Sequence, residues 1–129
     1  MGGHAVILSF DQAGDLLDQM AEELPEAVFE GLNGGVSLLP DTVLDPELED
    51  EVYILGEFCE DQMGRYIQLY YGSFAALAGE ENWSHEDWER ELRETLRHEL
   101  THHVEGLAGD SSLDRRDAEQ MRQWRRRNK

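Results

Sequence analysis

Cysteine, proline and lysine are scarce in this sequence of 129 residues. Its single cysteine, Cys59, has no partner within the chain, so an intrachain disulfide is excluded. Long apolar runs are also missing, and the early run from Ala5 to Phe10 is short and has no basic residue before it. Neither a signal peptide nor a membrane span is therefore predicted, and we expect a cytoplasmic protein.

Positive charge is scarce as well. The sequence has 29 acidic and 11 basic residues, which gives a formal net charge of −18, and its only lysine is Lys129. A charge of this sign repels nucleic-acid phosphates and anionic lipid, so we predict that neither is a partner. High solubility is the simplest explanation of the charge, and adaptation to high salt is the alternative.

The length of the chain suits one hydrophobic core and is too small for two, and 40% of the residues are apolar. We therefore predict a single domain over residues 1–129, with a leader of residues 1–9 and a basic tail of residues 122–129. Such a tail is typical of a solvated helix end and, less often, of a docking element. Its basic residues are Arg122, Arg125, Arg126, Arg127 and Lys129.

The first half of the chain predicts two helices and one strand. Apolar residues recur at helical spacing from Phe10 to Leu24, and Pro25 suits the first turn of a second, short helix that ends near Leu32. A strand is predicted from Val36 to Leu39. The acidic stretch of residues 41–51 is predicted to be a loop.

Two segments rich in β-branched and aromatic residues, Val52–Glu60 and Arg65–Phe74, predict a β-hairpin with a four-residue loop. Gly56 in the first segment marks either a bulge or a place where another part of the chain comes close. A charged last helix is predicted from Asp114 to Arg127.

A long helix is predicted between the hairpin and the last helix. Ser84 and Asp87 form a capping box, and no glycine or proline follows until Gly106, so this helix should run from His85 to the region of Leu107. Together these elements predict a single α+β unit in which a small mixed or antiparallel sheet packs on the long helix.

The sequence HELTH, residues 98–102, lies within the long helix. His98 and His102 are then one turn apart on one face, the spacing at which two imidazoles can bind one zinc ion. The leucine and valine seam of the helix lies on nearly the opposite face, so the pair is not predicted to be part of the core. Glu99 would lie beside a zinc-bound water and accept its proton, which makes it the predicted catalytic base.

A hydrolytic zinc site needs a third protein ligand. Glu105 shares the face of the two histidines and could just reach back, whereas Asp110 follows two glycines that can turn the chain after the helix. We prefer Asp110 and keep Glu105 as the alternative. His103 lies at the edge of the apolar seam, so we predict that it packs or supports a ligand and does not bind the metal.

The segment HELTHHVEGLAGD, preceded by a hairpin with LGEF and IQLYYG segments, resembles the small bacterial metallopeptidases of the minimal zincin type. The resemblance extends from Phe10 to Asp117 and is most specific in the long helix. It implies an α+β fold in which a small three-stranded mixed sheet packs on a long HExxH helix, with an N-terminal and a C-terminal helix. One departure concerns the third ligand: Glu105 stands where the family has the glycine of HExxHxxG, and Asp110 comes four residues after Gly106.

The activity that the resemblance implies is zinc-dependent hydrolysis of peptide bonds. Zinc is the expected cofactor, and a peptide or an unfolded protein segment is the expected partner. An exposed hairpin strand would hold the extended substrate by strand addition. A further group has to stabilise the oxyanion, and Tyr66, Tyr70 and Tyr71 are the candidates, although aromatic packing on the sheet is the favoured role for each of them.

Two other functions are compatible with the residues. A non-catalytic metal-binding or peptide-binding module with a zincin fold is one, because a chain of this size leaves little room for a deep cleft. A deformylase-like amidohydrolase, with Cys59 as the third zinc ligand, is the less favoured one.

Overall fold

The computed structural model describes residues 5–47 and 52–108. One short 3-10 helix, Glu26–Phe29, follows the first α-helix. The other elements, in chain order, are α1 Phe10–Glu23, β1 Val36–Leu39, β2 Val43–Leu44, β3 Tyr53–Ile54, β4 Gly56–Asp61, β5 Gly64–Tyr70, α2 Tyr71–Glu81 and α3 His85–Ala108.

The main sheet has three strands in the order β1-β5-β4. β1 runs parallel to β5 and β4 runs antiparallel to it, so that Val36 and Phe58 are the two neighbours of Ile67. Within the described residues, β1 and β4 are therefore the edges of the sheet. The short strands β2 and β3 form a separate antiparallel pair. The prediction of an α+β protein with a small, mixed, three-stranded sheet is confirmed.

Some segments differ from their predicted structure. The predicted strand Val52–Glu60 is divided between β3, which pairs with β2, and β4, and the loop between β4 and β5 has two residues instead of four. β2 lies within residues 41–51, which were expected to be a loop. The second hairpin strand ends at Tyr70, because Tyr71 begins α2. In a helix the rings of Tyr71 and Phe74 face the same side, and both stack on Trp88 with centroid distances of 6.1 and 6.3 Å. Burial of these rings outweighs the β-propensity of the segment.

The apolar seam of α3 forms the centre of the core. This helix contacts β4, β5, α1 and the 3-10 helix. All five residues of the seam are buried, which fixes the rotation of α3 and directs the opposite face of the helix away from the core. They are Leu92, Leu96, Leu100, Val104 and Leu107.

Gly56 allows α3 to pack directly against the edge strand β4. A Cβ atom at this position would lie 3.0 Å from Thr95 Cγ2 and 3.1 Å from the backbone oxygen of Gln68. Of the two roles predicted for this glycine, the structure therefore shows the close approach. The contact brings the segment of α3 that contains the two histidines next to β4.

Some predictions lie outside the described residues. These are residues 1–4 of the leader, the last helix from Asp114 to Arg127, the basic tail and Asp110. Among the helices of the described residues, none is long and apolar enough to cross a membrane.

Candidate metal centre

His98 and His102 lie one turn apart on the exposed face of α3, and their side chains converge. The two Nε2 atoms are 3.2 Å apart. The ring centroids are 4.7 Å apart, and the ring planes are nearly perpendicular at 88°. Both residues are exposed to solvent, as the predicted rotation of the helix requires.

The separation of the two nitrogen atoms can be compared with that in a zinc site. Two nitrogens at about 2.0–2.1 Å from a tetrahedral zinc ion are about 3.3–3.4 Å apart. The observed 3.2 Å is close to this distance, so the spacing of the pair suits a shared ion. Without an ion, the same distance is that of a hydrogen bond between the two rings. Neutral imidazole nitrogens are also a preferred donor type for zinc.

The side chain of Glu99 extends from α3 to the edge strand β4. The residue is 8% exposed, and its Oε1 atom accepts a hydrogen bond of 3.0 Å from the backbone N–H of Phe58. Burial raises the pKa of the carboxyl group, while the neighbouring His98 and His102 and the Phe58 N–H act in the opposite direction. The result is a carboxylate that is fixed in place and more basic than an exposed one.

Two solvent-open cavities flank this carboxylate. One has a volume of about 540 Å³ and is lined by Gly56, Glu57, Phe58, Glu99 and His102. The other, of about 430 Å³, is lined by residues of β3 and β4 and by Glu91, Glu94, Thr95, His98 and Glu99 of α3. Since Gly56 and Glu99 line both, the cavities follow the edge of β4 past the histidine pair. Glu57, Glu91 and Glu94 make both of them acidic.

The outer edge of β4 offers backbone groups to these cavities. The N–H of Phe58 bonds to Glu99 and not to β5, so it points away from the partner strand. Because alternate residues of an antiparallel strand direct their backbone groups to the same side, Gly56 and Glu60 also direct theirs to the outer edge.

None of the three tyrosines considered as oxyanion donors lines either cavity. The hydroxyl of Tyr66 donates to Asp61 at 3.0 Å, and that of Tyr71 donates to the backbone oxygen of Leu8. The hydroxyl of Tyr70 donates to Glu57 at 2.9 Å, and burial together with this bond raises the pKa of Tyr70 to about 12. The structure therefore gives these tyrosines other roles.

A complete set of three metal ligands is not found within residues 5–47 and 52–108. Glu105, the alternative third ligand, and Cys59, the ligand of the deformylase-like alternative, are thus not brought together with the histidine pair. Cys59 instead lies opposite Tyr66 in the hairpin, and burial raises the pKa of its thiol. Asp110, the preferred third ligand, lies outside the described residues.

His103 is fully buried and belongs to the packing of the domain. Its Nε2 atom lies 2.8 Å from the backbone oxygen of Glu30, so Nε2 carries the hydrogen and donates it. Nδ1 is buried without a partner, and the ring packs on Phe58 at a centroid distance of 5.8 Å. Burial lowers the pKa of His103. As predicted, it packs and does not join the pair.

One contribution could not be read from the sequence, namely the backbone N–H of Phe58. Every residue except proline has a backbone N–H, so the sequence does not indicate which one donates to Glu99. The position of β4 beside α3 determines it. The sequence offers two indications of this contact. Glu99 follows the first histidine, and Gly56 marks a place where another part of the chain can come close.

The fold and the site define a class: a small α+β protein with a histidine pair and a buried carboxylate on a long helix beside a sheet edge. No family model matches the chain, and neither does any curated protein. A solved structure of a conserved hypothetical protein from Thermus thermophilus is 39% identical, with a TM-score of 0.66. The match covers 78% of this chain and 98% of that one. The chain belongs to the same family as this thermophile protein.

Proposed function

We propose that the protein is a zinc-dependent metallopeptidase of the minimal zincin type, which hydrolyses peptide bonds in a peptide or an unfolded protein segment. The convergence of His98 and His102, with Nε2 atoms 3.2 Å apart on an exposed helix face, is the observation that carries the proposal. A pair of core histidines would be buried and bonded to backbone groups, as His103 is.

His98 and His102 would hold the zinc ion, with Asp110 as the third ligand. The ion supplies a Lewis acid, which polarises the scissile carbonyl group and lowers the pKa of a water molecule toward neutrality. Asp110 is proposed because it is the acid that follows Gly106 and Gly109, where the chain can turn back toward the histidines.

Glu99 would act as the general base and then as the general acid. Its carboxylate accepts a proton from the attacking water and passes it to the leaving amine. The hydrogen bond from Phe58 supports this role, because it holds one oxygen and leaves the other to receive the proton. Burial raises the pKa of this carboxyl group, which makes it a stronger base than an exposed glutamate.

An extended substrate would bind along the outer edge of β4. Strand addition uses the backbone groups at Gly56 and Glu60, which are directed to this edge. The acidic side chains in both cavities favour a substrate with basic residues over an acidic one. Assays should therefore begin with unstructured peptides rich in lysine and arginine.

Metal content provides the first test. The purified protein should contain one zinc per chain by elemental analysis, and His98→Ala should lose it. His85→Ala is the matched control, since His85 is an exposed histidine at the start of the same helix and pairs with Glu89 at 3.4 Å. Full zinc occupancy in His98→Ala would overturn the proposal.

Hydrolysis provides the second test. Glu99→Gln should keep zinc and lose about 10²–10⁴-fold in peptide cleavage, because the general base is removed. Glu57→Gln is the control, as Glu57 lines the same cavity but bonds to Tyr70.

One zinc per chain without turnover of any peptide would instead identify a non-catalytic module. Loss of zinc in Cys59→Ala would favour the deformylase-like alternative.

A further inference from the structure

A second groove lies away from the histidine pair, between α1, the 3-10 helix and β1. It has a volume of about 340 Å³ and an apolar floor. Asp18 and Glu22, which are exposed and one turn apart on α1, form its rim. The floor is made by Leu17, Ala21, Phe29 and Val36.

The two rim residues belong to α1, whose charged residues are all acidic. α1 contains five acidic residues and no basic one. Most of the acidic charge of α1 faces solvent without a cation on the same helix, so the groove is both apolar and strongly negative. A complementary occupant needs apolar side chains that are flanked by positive charge.

One segment of this chain has that composition. Residues 120–129 contain five basic residues and no acidic one, in a protein with a net charge of −18. Met121 and Trp124 lie among these basic residues. The two are three positions apart, the spacing at which side chains share one face of a helix.

The end of α3 lies beside this groove. Leu107 is so near Gly31 that a Cβ atom there would be 3.3 Å from the leucine methyl groups. Gly31 is two residues after Phe29, which lines the groove. Trp124 is 16 residues beyond Ala108, a length that can span about 50 Å when extended. This exceeds the diameter of a domain of about 100 residues.

We propose that residues 120–129 dock in this groove of their own chain. Met121 and Trp124 cover the apolar floor, and the arginines that flank them pair with Asp18 and Glu22. The docking is independent of the zinc site and of the proposed function.

A paramagnetic label tests the proposal in the full-length chain. A nitroxide is attached to Asn128→Cys in a Cys59→Ser background, and amide signals are recorded by NMR of ¹⁵N-labelled protein. Docking predicts loss of the amide signals of Asp18, Ala21, Glu22 and Phe29, which return when the nitroxide is reduced. Retention of these signals in the oxidised sample would overturn the proposal.

Two pairs of substitutions separate specific docking from general attraction. Asp18→Arg with Glu22→Arg should restore the groove signals in the labelled protein. Asp15→Arg with Glu23→Arg changes the charge of the same helix equally at exposed positions that do not line the groove, and should leave the broadening in place. Equal restoration by both pairs would contradict a defined docking site. Trp124→Ala should also restore the signals, whereas continued broadening would contradict an apolar anchor.

A mixing experiment distinguishes the same chain from a second copy. ¹⁵N protein without a spin label is combined with spin-labelled ¹⁴N protein. The proposal predicts no broadening of the groove signals in this mixture. Broadening here would show that the tail of another molecule occupies the groove, and docking within one chain would be wrong.

Discussion

His102 and His103 are neighbours in the sequence, yet their environments are opposite. The Nε2 atom of His102 is 3.2 Å from that of His98, and His102 is exposed, whereas His103 is fully buried and donates to the backbone oxygen of Glu30, just after the 3-10 helix. Since successive residues of a helix differ by about 100° in direction, one residue separates an exposed position from a core position. The chemistry of a histidine is therefore decided by the face on which the helix presents it.

The largest expected effect that distinguishes the two histidines is on zinc affinity. His102→Ala should weaken zinc binding by more than about 100-fold, beyond the loss typical of a supporting group. His103→Ala, if it folds, should keep most of the affinity. Competition with a chromophoric chelator measures both. Equal zinc affinities of the two variants would remove the distinction.

The second predicted effect is on stability, and here the substitution of His103 has a larger effect than that of His102. His103→Ala should lower the free energy of unfolding by about 2–4 kcal/mol, because it leaves a cavity and removes the buried hydrogen bond from Nε2 to the backbone oxygen of Glu30. His102→Ala, at an exposed position, should change the stability of the metal-free protein by less than about 0.5 kcal/mol. Urea unfolding in the presence of a chelator gives both values. A larger loss in His102→Ala would mean that the pair has a structural role.

A third prediction concerns pH. Burial holds the pKa of His103 below its ordinary value, and Arg65 acts in the same direction, while the bond to Glu30 and the charge of Glu60 oppose it. The unfolded chain therefore takes up the proton first as the pH falls below about 6.5. The stabilisation from neutral His103 is complete above this pH and is lost below it, with a slope of at most about 1.4 kcal/mol per pH unit.

Substitution identifies the His103 contribution, because other groups also titrate in this range. His103→Gln should reduce the pH dependence of the free energy of unfolding between about pH 5 and 7. The control His102→Gln should show a larger pH dependence than His103→Gln. Chelated protein is used, so that metal release does not contribute. The same slope in wild type and His103→Gln would show that another group is responsible.

The smallest effects concern the contact that places the site beside β4. Gly56→Ala should destabilise the protein by about 1–3 kcal/mol, since Thr95 and the backbone of Gln68 have to move. Gly79→Ala in α2 is the matched control, because its added methyl group meets no atom within 4 Å. That change should stabilise the helix by about 0.5–1 kcal/mol. Thermal unfolding compares the two, and a neutral Gly56→Ala would contradict tight packing.

Much of the architecture follows from local pattern. The periodicity of α3 predicts both its buried seam and the exposed face with His98 and His102, because one rotation of the helix satisfies both. The start of α2 could not be predicted this way. Tyr71 and Phe74 have β-propensity, and their packing on Trp88, which a local pattern does not reveal, favours a helix there.

Some residues of the candidate site can be predicted from the sequence, and others cannot. The spacing of His98, Glu99 and His102 needs only the geometry of one helix, and the structure places all three as expected. The sequence does not rank the three tyrosines, since their partners Asp61, Glu57 and Leu8 depend on strand register and on distant packing. A third ligand depends on how the chain turns after α3, which helix periodicity does not determine.

The hydrogen bond between Glu99 and Phe58 also changes what the edge of β4 offers to another molecule. An unpaired strand edge is a template on which another molecule can add its own strand and start an aggregate. At Phe58 the outward N–H of β4 is already satisfied by a side chain of α3, so a continuous ladder with a second β4 is interrupted at its middle. The carboxylate thus interrupts edge-to-edge pairing at Phe58, while Gly56 and Glu60 on either side of it keep outward backbone groups with which a short peptide can pair.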